Sequence, residues 1–176
     1  VLMQCERTGE WHGTDVVVIV LLPRGDGAFR PIGLLPWLPK LWQRARRIFA
    51  VSWERANDHS WIYAGKGMGA NVAAWKQAAR AELAASTVQP VGYCQALLDL
   101  VKAFGKVPHW LLIREGIELG YPLWLLMLSM SVYRMKGVIR VATTGPHELL
   151  PRCGITAGSG FACAEMKVLM ARIVDR

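Results

Sequence analysis

A chain of 176 residues that is 53% hydrophobic and 19% charged has enough apolar matter to fill a core, which excludes an intrinsically disordered chain. Lys and Arg number 21 against 13 Asp and Glu, so the formal charge of +8 favours an anionic partner, nucleic acid or an acidic membrane surface, over a basic or neutral one. Cys5, Cys94, Cys153 and Cys163 form no CxxC pair and have no His at zinc spacing, which argues against a structural zinc and leaves free thiols or a disulfide open.

Taken in chain order, residues 16–22 (VVVIVLL) read as a buried strand and residues 23–27 (PRGDG) as a turn. Phe29 to Leu35 then returns as the second strand of a hairpin. A helix follows from Leu38, with residues 38, 41, 42, 45, 48, 49 and 52 on the face expected to be buried. Lys40, Arg44 and Arg47 recur on the opposite face, as a solvated stripe or as a contact for a nucleic-acid backbone. The Gly65–Gly69 break fits no GxGxxG register and follows no strand, so it is not a dinucleotide loop. An Ala-rich helix is predicted from Asn71 to Ala85, and a strand from Val91 to Leu100.

Pro108 suits the first turn of a helix that Gly120 would end, and a second helix runs from Pro122 to Met135. Its greasy stretch from Tyr121 to Tyr133 is shorter than the roughly 20 residues that span a bilayer. Val138–Thr143 and Glu148–Cys153 are predicted to pair over a Gly145-Pro146 turn, before a loop at Gly154–Gly160 and a last helix. The N-terminal residues carry no signal-peptide pattern, so an intracellular protein is expected, and both ends read as cuts through a longer frame.

Four segments carry a common theme. They are LLPRGDGAFRPIGLLP at 21–36, GKGMGANVAAW at 65–75, LLDLVKAFGKVPHWLL at 97–112 and CGITAGSGF at 153–161. In this order they resemble the fingers hairpin, the pre-palm segment, the first carboxylate motif and the nucleotide-pocket loop of non-LTR retrotransposon reverse transcriptases. The resemblance implies an α+β fold: a fingers-like segment over residues 1–90, an incomplete palm over 91–176, and no thumb. It implies RNA-directed DNA synthesis on an RNA or DNA primer–template, driven by Mg²⁺ ions held on carboxylates.

By the same resemblance Asp99 is the catalytic, metal-binding carboxylate. Arg30, with Arg24 near it, would grip the incoming triphosphate through paired guanidinium donors. Phe104 would crowd the sugar 2′ position, and Gly158 would shape the nucleotide pocket. Lys40, Arg44, Arg47 and Lys66 would lie along the nucleic acid.

The departures bear on activity. Gly105 stands where the family has Asp, Ala157 replaces the Gln of the pocket loop, and the Arg-rich pre-palm segment is reduced to Lys66 among glycines. No (Y/F)xDD motif occurs in the 176 residues, and one Asp cannot hold two ions. The expectation is a reverse-transcriptase-like fragment, inactive by itself. The alternative is a remnant that serves as a non-catalytic structural subunit of a larger membrane or nucleoprotein assembly, held by protein partners. In that case the helical face of Trp124, Leu125, Leu128 and Val132 is the expected contact, unless it closes the chain's own core.

Overall fold

The computed structural model describes residues 1–11, 15–59, 61–63, 68–86, 94, 100–141 and 144–172. In chain order these form α1 (Leu2–Thr8), β1 (Val17–Pro23), β2 (Phe29–Leu34), α2 (Trp37–Ala56), α3 (Ala70–Ser86), a 3-10 turn (Phe104–Lys106), α4 (His109–Glu118), α5 (Leu123–Tyr133), β3 (Gly137–Val141), β4 (Thr144–Leu149) and α6 (Ala162–Ala171). The class is therefore mixed α and β, with one four-stranded sheet among the described residues.

Two compact units result: residues 1–57 together with 102–176, and residues 58–101. The first and last parts of the chain thus fold together; the expected 90/91 boundary lies outside the described residues. That smaller unit is built on α3, whose alanines favour the helix by intrinsic propensity and which buries none of its residues. Trp75 is exposed on it, Lys76 Nζ lies 5.3 Å from the Tyr63 ring centre, and His59 stacks on Trp61.

In the larger unit the sheet order is β2-β1-β3-β4. β1 and β2 pair antiparallel from Val18↔Leu34 to Pro23↔Phe29, as the alternating turn and β-branched signals predict. Arg24 N–H donates to Ala28 O at 2.8 Å, Asp26 accepts from Ala28 N–H, and Gly27 takes the left-handed conformation (φ 78°) that closes the turn. β1 also pairs in parallel with β3, Val17 against Gly137 to Ile19 against Ile139. A parallel pair needs a long crossover, here everything from β2 to α5.

The second hairpin differs from expectation. Ile139 faces His147 and Val141 faces Thr144, so Gly145 and Pro146 lie inside β4 and not at the turn. A bulge between Ile139 and Val141 absorbs the shift, and among the described residues β4 is an edge strand, a place where a proline without an N–H is tolerated. β3 has both its edges taken, by β1 and β4. The strand expected at Val91–Leu100, Asp99 included, lies outside the described residues.

The buried face of α2 sits one residue round from the expected one. Pro39, Trp42, Gln43, Ala50 and Trp53 are buried, whereas Leu41, Ile48 and Phe49 are exposed. The two tryptophans decide this, because they bury the most area. Trp42 meets Trp11 and Phe161 edge-on at 5.7 and 5.3 Å, and Trp53 meets Tyr121 at 5.1 Å. The polar residues carried inward with them find partners. Glu6 of α1 accepts from Trp42 Nε1 at 2.9 Å and from Arg46 Nε at 2.6 Å, and the Arg46 bond holds the Glu6 carboxyl below its ordinary pKa.

α4 begins after Pro108 and ends as the sequence predicts. Gly120 is left-handed (φ 64°), Tyr121 N–H donates to Gly116 O, and Gly120 N–H donates to Ile117 O, which together satisfy the last carbonyls. α5 buries most of its surface, with Leu125, Leu126, Leu128, Met130, Val132 and Tyr133 in the core and Leu123, Trp124 and Met127 on its exposed side. Of the two expectations for this face, closing the chain's own core is the one observed for three of its four residues. Leu125, Leu128 and Val132 close the chain's own core, and only Trp124 of that set reaches solvent, where it meets Phe49 edge-on at 5.2 Å. None of the described helices is long and apolar enough to cross a membrane.

The two kinds of α5 residue should separate in a denaturation experiment. Leu128→Ala is expected to cost about 2–5 kcal/mol, because a fully buried leucine leaves a cavity that packed neighbours cannot fill. Trp124→Ala, at a position 36% exposed, should cost clearly less, and equal losses in urea melts would contradict this assignment of faces.

Candidate nucleic-acid interface

The loop that follows β4 is held on two sides. Gly154 N–H donates to Val107 O at 2.7 Å and Ile155 N–H to Phe104 O at 2.8 Å, while Ala157 O accepts from Gly33 N–H of β2 at 2.9 Å. Gly158 is required where it stands. Its φ of 113° is one that side chains rarely adopt, and a Cβ there would lie 2.5 Å from the Gly33 carbonyl oxygen. The chain then turns toward α2, where Gly160 N–H donates to Gln43 Oε1 at 2.9 Å and Gln43 Nε2 donates to Ser159 Oγ at 3.0 Å.

Between this loop and α2 runs an open groove of about 660 Å³, lined by Trp37, Lys40, Leu41, Gln43, Arg44, Arg47, Gly158 and Gly160. Lys40, Arg44 and Arg47 are exposed and span about 10 Å of helix axis at 1.5 Å per residue. Trp37 is 72% exposed at the start of the helix. The groove thus offers three cations, an accessible aromatic face and a glycine-rich wall that lets a ligand approach the backbone closely.

Behind the wall lies a buried polar cluster. Tyr133 OH bonds both Ser159 Oγ at 2.9 Å and Glu165 Oε2. Glu165 is fully buried on α6, and burial pushes its carboxyl up to about 7, against the opposing bond from Tyr133. Ser129 lies beside it and also favours the charged form, while the Tyr121 hydroxyl is buried in the same core without a hydrogen-bond partner among the described residues. His109, below its ordinary pKa because of burial, bonds Gly154 O through Nε2 at 2.8 Å and receives Arg134 Nε at Nδ1 at 3.5 Å. These partners define a neutral imidazole with its proton on Nε2. It helps anchor the start of the loop.

Of the residues marked from sequence, Lys40, Arg44, Arg47 and Gly158 come together on this groove. Arg24 and Arg30 are exposed on the β1–β2 hairpin, where Arg24 pairs with Asp26 at 3.4 Å, and neither lines the groove. Phe104 supports the loop through its carbonyl, and the residue is 37% exposed. Lys66 and Asp99, the carboxylate that the resemblance assigns to Mg²⁺, lie outside the described residues. Among the described residues no three His, Cys, Asp or Glu side chains come together as a metal site.

Trp37, Gln43, Tyr133, Ser159 and Glu165 were not marked from sequence. The signal available was a Glu inside the apolar run Phe161–Met170 and a Gln one position after Trp42. Compared with models of protein families and with characterised proteins, the chain matches none.

The raised carboxyl has a definite sign. Folded Glu165 binds a proton up to about pH 7, whereas its ordinary value is 4.5, so between these values the folded state holds more protons and this group's contribution falls as pH rises. Glu6 and Glu115, both lowered chiefly by bonds from arginines, act oppositely and lose their contribution as pH falls. The difference between Glu165→Gln and the parent isolates one term. It should be near zero at pH 4.5 and grow to about 3 kcal/mol in favour of the variant above pH 7, read by urea denaturation across that range. A pH-independent difference would mean that Glu165 does not titrate there.

Proposed function

We propose that the chain is a reverse-transcriptase-like fragment that holds nucleic acid in the α2 groove and does not polymerise by itself. One observation carries this reading. Two segments more than a hundred residues apart, the basic face of α2 and the Gly158 loop, line one groove, and both were assigned to nucleotide or nucleic-acid contact by the resemblance. Lys40, Arg44 and Arg47 suit phosphate oxygens as charged donors, and such contacts are indifferent to sequence. Trp37 supplies a face on which a base stacks, a contact worth about 1–3 kcal/mol.

Binding through the groove should weaken steeply with salt. Replacing Lys40, Arg44 and Arg47 together by Ala should lower the slope of log K against log salt by about 3, measured by fluorescence anisotropy on a labelled oligonucleotide. An unchanged slope would remove the phosphates from these side chains.

The chain alone should not extend a primer on an RNA template with Mg²⁺ and deoxynucleotides, since Asp99 is the one carboxylate of the metal set that the sequence offers. Incorporation that disappears in Asp99→Ala would overturn this.

A second reading, a structural subunit with protein partners, is favoured by one feature. Phe49 and Trp124 pair edge-on yet remain 43% and 36% exposed, next to Ile48 at 67%. Loss of all oligonucleotide binding at about 50 mM salt, where phosphate contacts are strong, would favour it over the first.

A further inference from the structure

The polar cluster behind the groove has a direction that follows from counting donors. Ser159 Oγ is approached by Gln43 Nε2 at 3.0 Å, by Phe161 N at 3.3 Å and by Tyr133 OH at 2.9 Å. The first two are N–H groups that can only donate, and Gln43 has its amide orientation set because its Oε1 accepts from Gly160 N–H. They occupy both lone pairs of Ser159. The Ser159 proton must therefore go to the Tyr133 oxygen, and the Tyr133 proton to Glu165 Oε2. The chain of bonds runs one way, from Gln43 through Ser159 and Tyr133 to a carboxyl oxygen. Without an acceptor at its end, Tyr133 would turn its proton toward Ser159, whose lone pairs are filled, and one of the bonds that seat the loop on α2 would be lost.

We propose that Glu165 is a positioning residue for the groove: as the terminal acceptor it orders Tyr133 and Ser159, and so holds the Ser159–Gly160 wall against Gln43. It touches no ligand. Its effect reaches the groove because Gln43 and Gly160 are both groove-lining and both bonded within the chain it terminates. The acceptor survives in either ionisation state. A proton on Oε1 leaves Oε2 free to receive Tyr133. The amide of a glutamine would serve equally, with its oxygen toward Tyr133.

The binding arm of the test rests on the nucleic-acid reading of the groove, and a second arm does not. With a labelled single-stranded DNA oligonucleotide, Tyr133→Phe and Ser159→Ala should each weaken binding about five-fold, as expected for one lost hydrogen bond. The double variant should be no worse than either, because both break one chain. Glu165→Leu, which removes the acceptor, should weaken binding to the same extent, whereas Glu165→Gln, which keeps an acceptor oxygen, should bind as the parent does. The salt slope should stay unchanged throughout, since no cation is touched. Independently of any ligand, amide exchange at Gly160 should quicken in Tyr133→Phe and Ser159→Ala and remain slow in Glu165→Gln. Folded Tyr133→Phe and Ser159→Ala proteins with parental affinity and parental Gly160 protection would overturn the proposal, as would additive losses. If the parent itself binds no oligonucleotide, the groove reading fails and the exchange rates alone decide whether the chain positions the wall.

Discussion

The larger unit is organised by the need to surround α5. Its 11 residues, LWLLMLSMSVY, are apolar on every side, so no orientation leaves a polar face for water. Burying each large aliphatic side chain stabilises by about 1.5–3 kcal/mol, and Leu125, Leu126, Leu128, Met130 and Val132 are all fully enclosed. α1 and α4 pack directly on α5, and α6 packs on α4 and α2. Trp11 ties the N-terminal segment down by donating from Nε1 to Leu128 O at 3.2 Å and from its backbone to Ser131 Oγ at 3.1 Å. The far end of α4 is fastened to α6 by Arg172, which pairs with both Glu115 and Glu118. The sheet takes its parallel β1–β3 pairing from the same requirement, because the chain must travel around the central helix before β3 can return beside β1.

Enclosing α5 also brings polar groups inside. Tyr133 is carried into the core by the helix it ends, and Glu165 arrives opposite it on α6. An isolated buried carboxylate is costly, so the acid is driven toward its neutral form and bound by the tyrosine. The hydroxyl of Ser159 and the amide of Gln43 extend this network to the surface. The packing of the core and the shape of the groove are thus mechanically continuous. A residue deep inside sets the position of a loop that a ligand would meet.

The basic residues divide into two surfaces with different settings. Arg24 and Arg30 stand on a hairpin whose outer residues Leu22 and Phe29 are exposed, and Arg24 spends part of its charge on Asp26. Lys40, Arg44 and Arg47 instead line a concave surface beside low-dielectric walls, where a cation field is focused rather than dispersed. That contrast is the reason the groove, and not the hairpin, carries the functional proposal.

Local signals in the sequence were sufficient for the β1–β2 hairpin, for α4 from Pro108 to its Gly120 cap, for the start of α2 and the extent of α5, and for the basic stripe of Lys40, Arg44 and Arg47. Each depends on dihedral preference, capping or periodicity within a few residues. Which face of α2 turns inward did not follow from periodicity, because Leu41, Ile48 and Phe49 are as apolar as the positions chosen; the fit of Trp42 between Trp11 and Phe161 settled it. The register of β4 was decided by a bulge opposite it in β3, a property of the strand pair. The pairing of Glu165 with Tyr133, and of Gln43 with the Gly160 loop, joins residues 32 and 117 positions apart, a separation over which sequence carries composition but not contact. Only the packing around α5 brings them together.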